Sequence, residues 1–246
     1  MPGEAESALL APQTGTSWKV RPPWRRVPRA ARRVARASRE RSLRRQRRLV
    51  TGAGLVALTF DDGPDPCYTP AVLDVLHHLD VPATFFCVGD LAVTHPDIVR
   101  RMVREGHAVG SHGAHHAELP SLAGTELAAN LRAGRDMLAA VAGGPVSLFR
   151  PPHGDPSLRT GLMARRFGLH TWLWTVDPED WRPAISTSQV VSGCAGVADG
   201  DVIVLHDGLQ EPWAPEALDR SATVDALPQI VEAARAKHLR FVRLPT

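Results

Sequence analysis

Cysteine is scarce in this 246-residue chain, which contains only Cys67, Cys87 and Cys194. Three well-separated cysteines provide neither a disulfide framework nor a CxxC metal signature. Each of them is therefore expected to be a small buried apolar residue. Long apolar runs are also missing, since no stretch reaches about 18 residues, and no transmembrane helix is expected. With 43% hydrophobic residues the chain can bury a sizeable core, so it is not disordered as a whole.

Acidic residues are nearly missing from residues 1–50. This segment holds 14 basic and 3 acidic residues, a net charge of +11, whereas the rest of the chain holds 15 basic and 23 acidic residues, a net charge of −8. We predict that residues 1–50 form a basic and mostly disordered arm. Such an arm is suited to an anionic membrane or to nucleic acid. Its arginine-dense half has no interleaved aromatic residues, so no base-stacking platform is predicted.

The end of the arm has some features of an export signal. Its arginines precede the apolar segment 49–58, which faintly resembles the charged and apolar regions of a signal peptide. That segment, however, continues directly into Asp61 and Asp62, and cleavage after it would remove a predicted strand. The protein is therefore expected to be cytoplasmic or membrane-peripheral. It is also expected to be a monomer.

From residue 52 onward, short apolar runs alternate with amphipathic segments. Thr69 is predicted to cap the first helix, with Pro70 in its first turn. The predicted strands are 55–60, 83–88, 107–110, 146–149, 169–175, 202–205 and 240–244, and the predicted helices are 69–79, 96–106, 122–141, 156–167, 187–197 and 222–236. About seven strands alternating with helices indicate a parallel sheet with helices outside it. Both an open doubly wound sheet and a small closed barrel satisfy this pattern.

Five polar clusters each follow a predicted strand. They are Asp61 with Asp62, His112 with His116, the segment 150–154, the segment 177–181, and His206. Because the carboxyl ends of parallel strands converge on one face of a barrel, the clusters are expected to meet there. Each cluster alone has a simpler explanation, such as an acidic turn, surface histidines or a histidine satisfied within the core.

Together, the clusters predict a hydrolytic metal site. His112 and His116 would share a face if their segment were helical. Two histidines and one carboxylate leave open positions on a metal for water and substrate. The rigid turn around His153 suits a backbone N–H aimed at an oxyanion. His206, which emerges from a buried strand, is a candidate general acid.

Taken in order, the clusters resemble the five motifs of the polysaccharide deacetylase family, carbohydrate esterase family four, with its NodB-homology domain. The matching segments are Thr59-Phe60-Asp61-Asp62-Gly63-Pro64 for the first motif, His112 and His116 for the second, Arg150-Pro151-Pro152-His153-Gly154 for the third, Asp177-Pro178-Glu179-Asp180-Trp181 for the fourth, and Val204-Leu205-His206 for the fifth. The resemblance covers about residues 55–245. It implies that residues 51–246 form a distorted (β/α) barrel of about seven parallel strands.

The same resemblance implies a bound divalent metal and a role for each residue. Zinc is the expected metal, with cobalt, manganese and nickel as alternatives. Asp61 is implied to be the general base and His206 the general acid, with Arg150 holding Asp61 and Asp180 orienting His206. The remaining implied roles are metal binding by Asp62, His112 and His116, oxyanion binding by the backbone N–H of His153, a groove wall at Trp181, and an acetate-methyl pocket at Val204.

Three residues depart from the family pattern. His153 stands where the family usually has Tyr, which changes the lining of the groove but leaves the backbone donor in place. Gly113 replaces the usual Ser or Thr, so a hydrogen bond that supports the histidine segment is expected to be missing. Val204 replaces the usual Leu, a change of one methylene worth about 1 kcal/mol.

The function implied is a metal-dependent hydrolase that removes N-acetyl groups from an N-acetylglucosamine-containing polysaccharide or oligosaccharide, such as peptidoglycan or a chitin-like chain. One alternative is an O-acetyl esterase of the xylan type, which would use the same residues. Another is a non-catalytic glycan-binding module that keeps the groove. The substrates of the family usually lie outside the cytoplasm, which conflicts with the missing export signal.

Overall fold

The computed structural model describes residues 45–154, 157–210 and 214–246. Eight strands lie within these ranges: β1 Arg45–Gln46, β2 Leu55–Asp61, β3 Thr84–Cys87, β4 Ala108–Ser111, β5 Leu148–Phe149, β6 His170–Trp172, β7 Val202–His206 and β8 Arg240–Phe241. They form one sheet in the order β1-β6-β5-β4-β3-β2-β7, with β8 also pairing with β2. All of these pairings are parallel, as the alternation of strands and helices predicted.

The sheet curls so that its two ends approach each other. Just after β6, Val176 forms a parallel bridge with Ile203 of β7. Beside it, the N–H of Thr175 donates to the carbonyl of Val202 at 2.9 Å. The strand β7 ends the order at one side, so these contacts bring it next to the segment that continues from β6. The distorted (β/α) barrel implied by the motifs is thereby confirmed.

Helices follow most of the strands. Their bounds are α1 Tyr68–Leu79, α2 Gly89–Thr94, α3 Pro96–Arg104, α4 Gly124–Ala142, α5 Leu158–Arg166, α6 Thr187–Gly193 and α7 Ser221–Ala236. The predicted helices are all present with small shifts of their ends. The helix α2 was not predicted, because six residues are too few to show a helical repeat of apolar positions.

The start of α1 differs from the prediction. The helix begins at Tyr68, and Asp65 accepts the N–H groups of Cys67 and Tyr68 at 2.7 and 2.9 Å. The hydroxyl of Thr69 does not cap the helix but donates to Asp207 at 2.5 Å. Cys67 is exposed, against the expectation of burial, whereas Cys87 and Cys194 are buried as expected.

Apolar side chains pack on both faces of the curled sheet. On the outer face, Phe60 of β2 packs with Val72 and Leu76 of α1. On the inner face, Ala57 of the same strand packs in a second cluster with Trp172. Successive strand residues point to opposite faces, and β2 is buried on both. A strand covered on both sides is therefore almost continuously apolar, which explains the run 55–60.

Residues 45–50 belong to the folded body, so the arm boundary predicted at residue 50 is too late. The strand β1 pairs with β6, and Leu49 is only 8% exposed within the inner apolar cluster. Arg48 forms an ion pair with Asp201 at 2.8 Å. The remainder of the predicted arm, with its proposed membrane or nucleic-acid contacts, lies outside the described residues. Within the described ranges, every helix is too short or too polar to cross a membrane.

Candidate active site

The five polar clusters lie at one end of the sheet. Asp61 and His206 end β2 and β7 and are direct neighbours in the register of these strands. His112 follows β4, and Arg150 follows β5. The five clusters surround a cavity of about 370 Å³. Its lining residues are Asp61, Asp62, His112, His116, His153, Trp174, Asp177, Trp181, His206, Leu209 and Gln210. Parallel strands that end at the same edge thus assemble residues that are far apart in the chain.

A three-residue cluster in this cavity could hold a metal. The Nε2 atoms of His112 and His116 each lie 3.2 Å from Oδ1 of Asp62, and the potential ligand atoms all lie within 4.8 Å of one another. The two histidines lie on a loop after β4 rather than on a helix, so the helical spacing argument is wrong even though the pair meets. Burial alone would raise the pKa of Asp62, but hydrogen bonds from both histidines hold that pKa well below its usual value.

Neighbouring groups orient this cluster. Nδ1 of His112 lies 2.8 Å from the carbonyl oxygen of Arg150. A carbonyl can only accept, so Nδ1 carries a proton, and Nε2 is the ring nitrogen that faces Asp62 and that a metal ion would take. The main-chain N–H of Gln210 donates to Oδ2 of Asp62 at 3.3 Å, on the carboxylate oxygen away from the histidines. Two imidazole nitrogens and a carboxylate oxygen that converge in this way fit a divalent cation.

Asp61 faces a different partner from its neighbour. Nη1 of Arg150 donates to Oδ1 of Asp61 at 2.7 Å and to the hydroxyl of Thr59 at 2.8 Å. Arg150 is completely buried, and its guanidinium also lies 4.2 Å from the centre of the Phe86 ring. Burial lowers the pKa of Arg150, and the negative charge of Asp61 opposes that shift. The ion pair holds the Asp61 carboxylate at the floor of the cavity.

His206 is bound to a buried carboxylate. Its Nδ1 lies 2.7 Å from Oδ1 of Asp180, and its main-chain N–H donates to Oδ2 at 2.9 Å. The Thr223 hydroxyl donates to the same Oδ2 at 2.8 Å, and Arg220 donates to the main-chain oxygen of Asp180 at 2.7 Å. Burial lowers the pKa of His206, but the charge and hydrogen bond of Asp180 outweigh it and raise that pKa to about 9. His206 is therefore protonated at neutral pH.

The departures from the family motifs have local explanations. His153 adopts a left-handed conformation with φ of 56°, and its ring packs edge-on against His116 at 4.7 Å between centroids. Burial, together with the nearby His116, lowers the pKa of His153. The hydrogen bond expected to be missing beside Gly113 has substitutes. The hydroxyl of Ser111 accepts the N–H of Gly113 at 3.2 Å, and Asn130 accepts the N–H of Ala114 at 3.1 Å.

One predicted substrate-binding residue is not part of the cavity lining. Val204 is buried in β7 and is not among the described residues that line the cavity. Side chains at positions 204 and 206 point to the same side of the strand, so Val204 lies beneath His206 in the interior of the curled sheet. Its hydrophobic character fits that interior position, and its contact with an acetate methyl group stays a prediction.

Three residues that line the cavity, Trp174, Leu209 and Gln210, were not predicted from the motifs. Trp174 donates from Nε1 to Asp177 at 3.2 Å, and both side chains form one wall. Trp174 lies near the end of the predicted strand 169–175, and this position could have identified it as a residue of the cavity. Leu209 and Gln210 follow the last motif in an ordinary loop and carry no such signal. Trp181 lines the cavity as predicted.

Comparison with known proteins agrees with this geometry. Residues 49–172 match the family model described as Polysaccharide deacetylase. The chain is 39% identical over 202 residues to a chitooligosaccharide deacetylase of Sinorhizobium fredii, an alignment that covers 79% of this chain and 92% of that protein. It is 35% identical over 190 residues to a peptidoglycan-N-acetylglucosamine deacetylase of Bacillus cereus, covering 76% of this chain and 85% of the relative.

A solved structure shows the same likeness. The crystal structure of the Bc1960 peptidoglycan N-acetylglucosamine deacetylase superposes with a TM-score of 0.77 at 31% identity, covering 85% of this chain and 94% of that one. The fold and the site thus define a hydrolase of the carbohydrate esterase type. The chain belongs to the polysaccharide deacetylase family, and it is a deacetylase.

Proposed function

We propose that this deacetylase uses a divalent metal, with zinc the first choice, to remove N-acetyl groups from a polysaccharide or oligosaccharide that contains N-acetylglucosamine. One observation carries the proposal. The potential ligand atoms of Asp62, His112 and His116 lie within 4.8 Å of one another, in a cavity that also contains Asp61 and His206. The relatives named as chitooligosaccharide and peptidoglycan deacetylases support the substrate class.

Asp62, His112 and His116 would hold the metal. A divalent cation at such a site acidifies water and polarises a carbonyl group. The donor set supports zinc, because two imidazole nitrogens and one carboxylate are common zinc ligands that leave a position open for chemistry. Cobalt, manganese and nickel remain alternatives, since affinity for such ligands varies gradually along the first-row metals.

Asp61 is assigned as the general base. Its carboxylate lines the cavity, and the ion pair with Arg150 at 2.7 Å fixes its position. It accepts a proton from the water whose oxygen attacks the acetamide carbonyl carbon. The main-chain N–H of His153 is assigned to stabilise the negative charge that develops on the carbonyl oxygen. Arg150 acts by positioning Asp61.

His206 is assigned as the general acid. Because Nδ1 is bound to Asp180, the proton on Nε2 is the one available to the substrate. The ring donates this proton to the amide nitrogen as the carbon–nitrogen bond breaks, which releases acetate and a free amine. An amine is a poor leaving group unless it is protonated, and the raised pKa of His206 keeps the required proton on the ring. The half-buried rings of Trp174 and Trp181, which line the cavity, suit the apolar face of a sugar ring.

The proposal is tested by metal removal and replacement. Purified protein would be stripped with a chelator and assayed for acetate release from N-acetylglucosamine oligomers, peptidoglycan and acetylated xylan, before and after zinc is added. We expect zinc to restore release from an N-acetylglucosamine substrate. Release only from acetylated xylan would favour the esterase, and full activity after chelation would overturn metal dependence.

A matched pair of histidines provides the control. His116→Asn should abolish zinc-dependent acetate release, because it removes a ligand. His115→Asn alters the adjacent exposed histidine, whose Nδ1 contacts Asp90 outside the cavity, and should keep most of the activity. Equal losses in both variants would contradict the assigned ligand set.

A further inference from the structure

The loop that carries His112 and His116 rests on the helix α4. Asn130, the sole asparagine of the chain, is 7% exposed and faces this loop. Its Oδ1 accepts the N–H of Ala114 at 3.1 Å, and its Nδ2 donates to the carbonyl of His115 at 3.2 Å. The main-chain oxygen of Asn130 also accepts the N–H of Ala114, at 3.2 Å. One residue therefore holds the main chain of the loop at two successive residues, Ala114 and His115.

One turn further along α4, Gly134 lets the helix approach the loop backbone. A Cβ atom at this position would lie 2.3 Å from the carbonyl carbon of Gly113 and 2.5 Å from the nitrogen of Ala114. Real Cβ contacts are not that short, and the atoms it would meet are backbone atoms, so they cannot move aside as a flexible side chain would. Gly113 itself has φ of +93°, and a Cβ there would lie 2.7 Å from Oδ1 of Asn130.

The other side of the loop is also fixed. The N–H of Gly89 donates to the carbonyl of Gly113 at 2.9 Å, and the N–H of Asp90 donates to the carbonyl of Ala114 at 3.1 Å. The backbone between the two histidines is thus clamped between the first turn of α2 and the face of α4 that bears Asn130 and Gly134. His112 and His116 lie outside helices and strands, so their spacing depends on these contacts between the loop and the two helices.

We propose that Asn130 and Gly134 are positioning residues that set the separation of His112 and His116, and hence the affinity of the site for its metal. This inference rests on the metal site of the proposed function. Outer residues that orient metal ligands typically change affinity 10- to 100-fold when they are replaced. Asn130 thereby supplies from a distant helix the support that the motif residue at position 113 does not provide.

Both substitutions that test the proposal place alanine in α4, where it is a better helix former than asparagine or glycine. Asn130→Ala removes both side-chain hydrogen bonds to the loop. Gly134→Ala introduces a better helix former, which favours α4 locally, yet its methyl group must displace the loop. A role limited to helix stability therefore predicts no loss of metal binding in either variant, whereas positioning predicts weaker metal binding in both.

Leu138→Ala is the matched control, because Leu138 lies on the same helix and is fully buried in the outer apolar core. It should lower the melting temperature of the metal-free protein through loss of packing. It leaves the contacts of Asn130 and Gly134 with the loop in place, so zinc affinity should change less than about three-fold.

The experiment is a zinc titration of the full chain in competition with a chromophoric chelator, together with melting curves with and without zinc. We expect at least about ten-fold weaker zinc binding in Asn130→Ala and in Gly134→Ala. Wild-type zinc affinity in either folded variant would overturn the inference. If the wild-type protein itself binds no zinc, the proposed function fails instead, so the two failures are distinguishable.

Discussion

Asp180 accepts both the ring N–H and the main-chain N–H of His206, at 2.7 and 2.9 Å. Two hydrogen bonds to one buried carboxylate fix the plane of the imidazole and stabilise its positive charge. Burial alone would lower the pKa of His206, but Asp180 raises it to about 9. A group with a raised pKa keeps its proton until the pH rises through that value. The acid form of His206 is thus available throughout the neutral range.

The first prediction concerns Asp180→Asn. Loss of the negative charge should lower the pKa of His206 toward the ordinary value of 6.5, so the acid form is lost at a lower pH. The alkaline limb of the kcat/KM profile should shift to lower pH, and kcat/KM near pH 8 should fall at least about ten-fold. Acetate release measured from about pH 5 to 10 checks this. Asp97→Asn, at an exposed carboxylate of α3, is the control, and an alkaline limb that does not move in Asp180→Asn would refute the coupling.

The second prediction concerns the buried ion pair. Arg150→Met would leave the Asp61 carboxylate buried without a countercharge, which should lower the free energy of unfolding by about 3–5 kcal/mol. Arg182→Met breaks an exposed pair with Glu179 and should cost about 1 kcal/mol or less. Urea unfolding of both variants gives the comparison. Similar losses would mean that Arg150 does not compensate a buried charge.

The third prediction concerns the start of the folded body. Leu49→Ala should lower the free energy of unfolding by about 2–3 kcal/mol, because it opens a cavity in the inner apolar cluster. The adjacent Val50 is 83% exposed, and Val50→Ala should stay within about 0.5 kcal/mol of the wild-type protein. Denaturant midpoints for the two variants decide the matter. Equal stability would place Leu49 with the arm.

Much of the fold followed from local patterns. The run 55–60 is buried on both faces, and the polar clusters that follow five of the strands marked the active edge of the sheet. Short elements such as β1 and α2 were not predicted, because two or six residues show no period. The strand β1 was also hidden by Arg45 and by the arginines on either side of it, which favoured its assignment to the arm.

The motifs predicted the residues that carry the chemistry of the site. They did not predict the residues on other elements that hold those residues in place. Asp61, Asp62 and His206 reach the cavity as the motif order implied. Asn130 and Thr223 come from helices far along the chain, and only the folded structure brings them to their partners. Val204 is absent from the cavity lining, because a motif position does not reveal whether a side chain reaches the cavity or lies one layer below it.

The consecutive carboxylates of Asp61 and Asp62 have different partners. Asp61 is paired with Arg150 at 2.7 Å, whereas Asp62 faces His112 and His116 at 3.2 Å each. These different partners support the proposed assignment of Asp61 as general base and of Asp62 as metal ligand.

The most direct test measures zinc content and acetate release in Asp61→Asn and Asp62→Asn, each prepared under the same conditions. Asp61→Asn should retain wild-type zinc content and lose turnover by about 10²–10⁴-fold, because the base is gone while the ligands remain. Asp62→Asn should lose most of its zinc. Equal loss of zinc from both variants, or zinc retained in full by Asp62→Asn, would contradict the account.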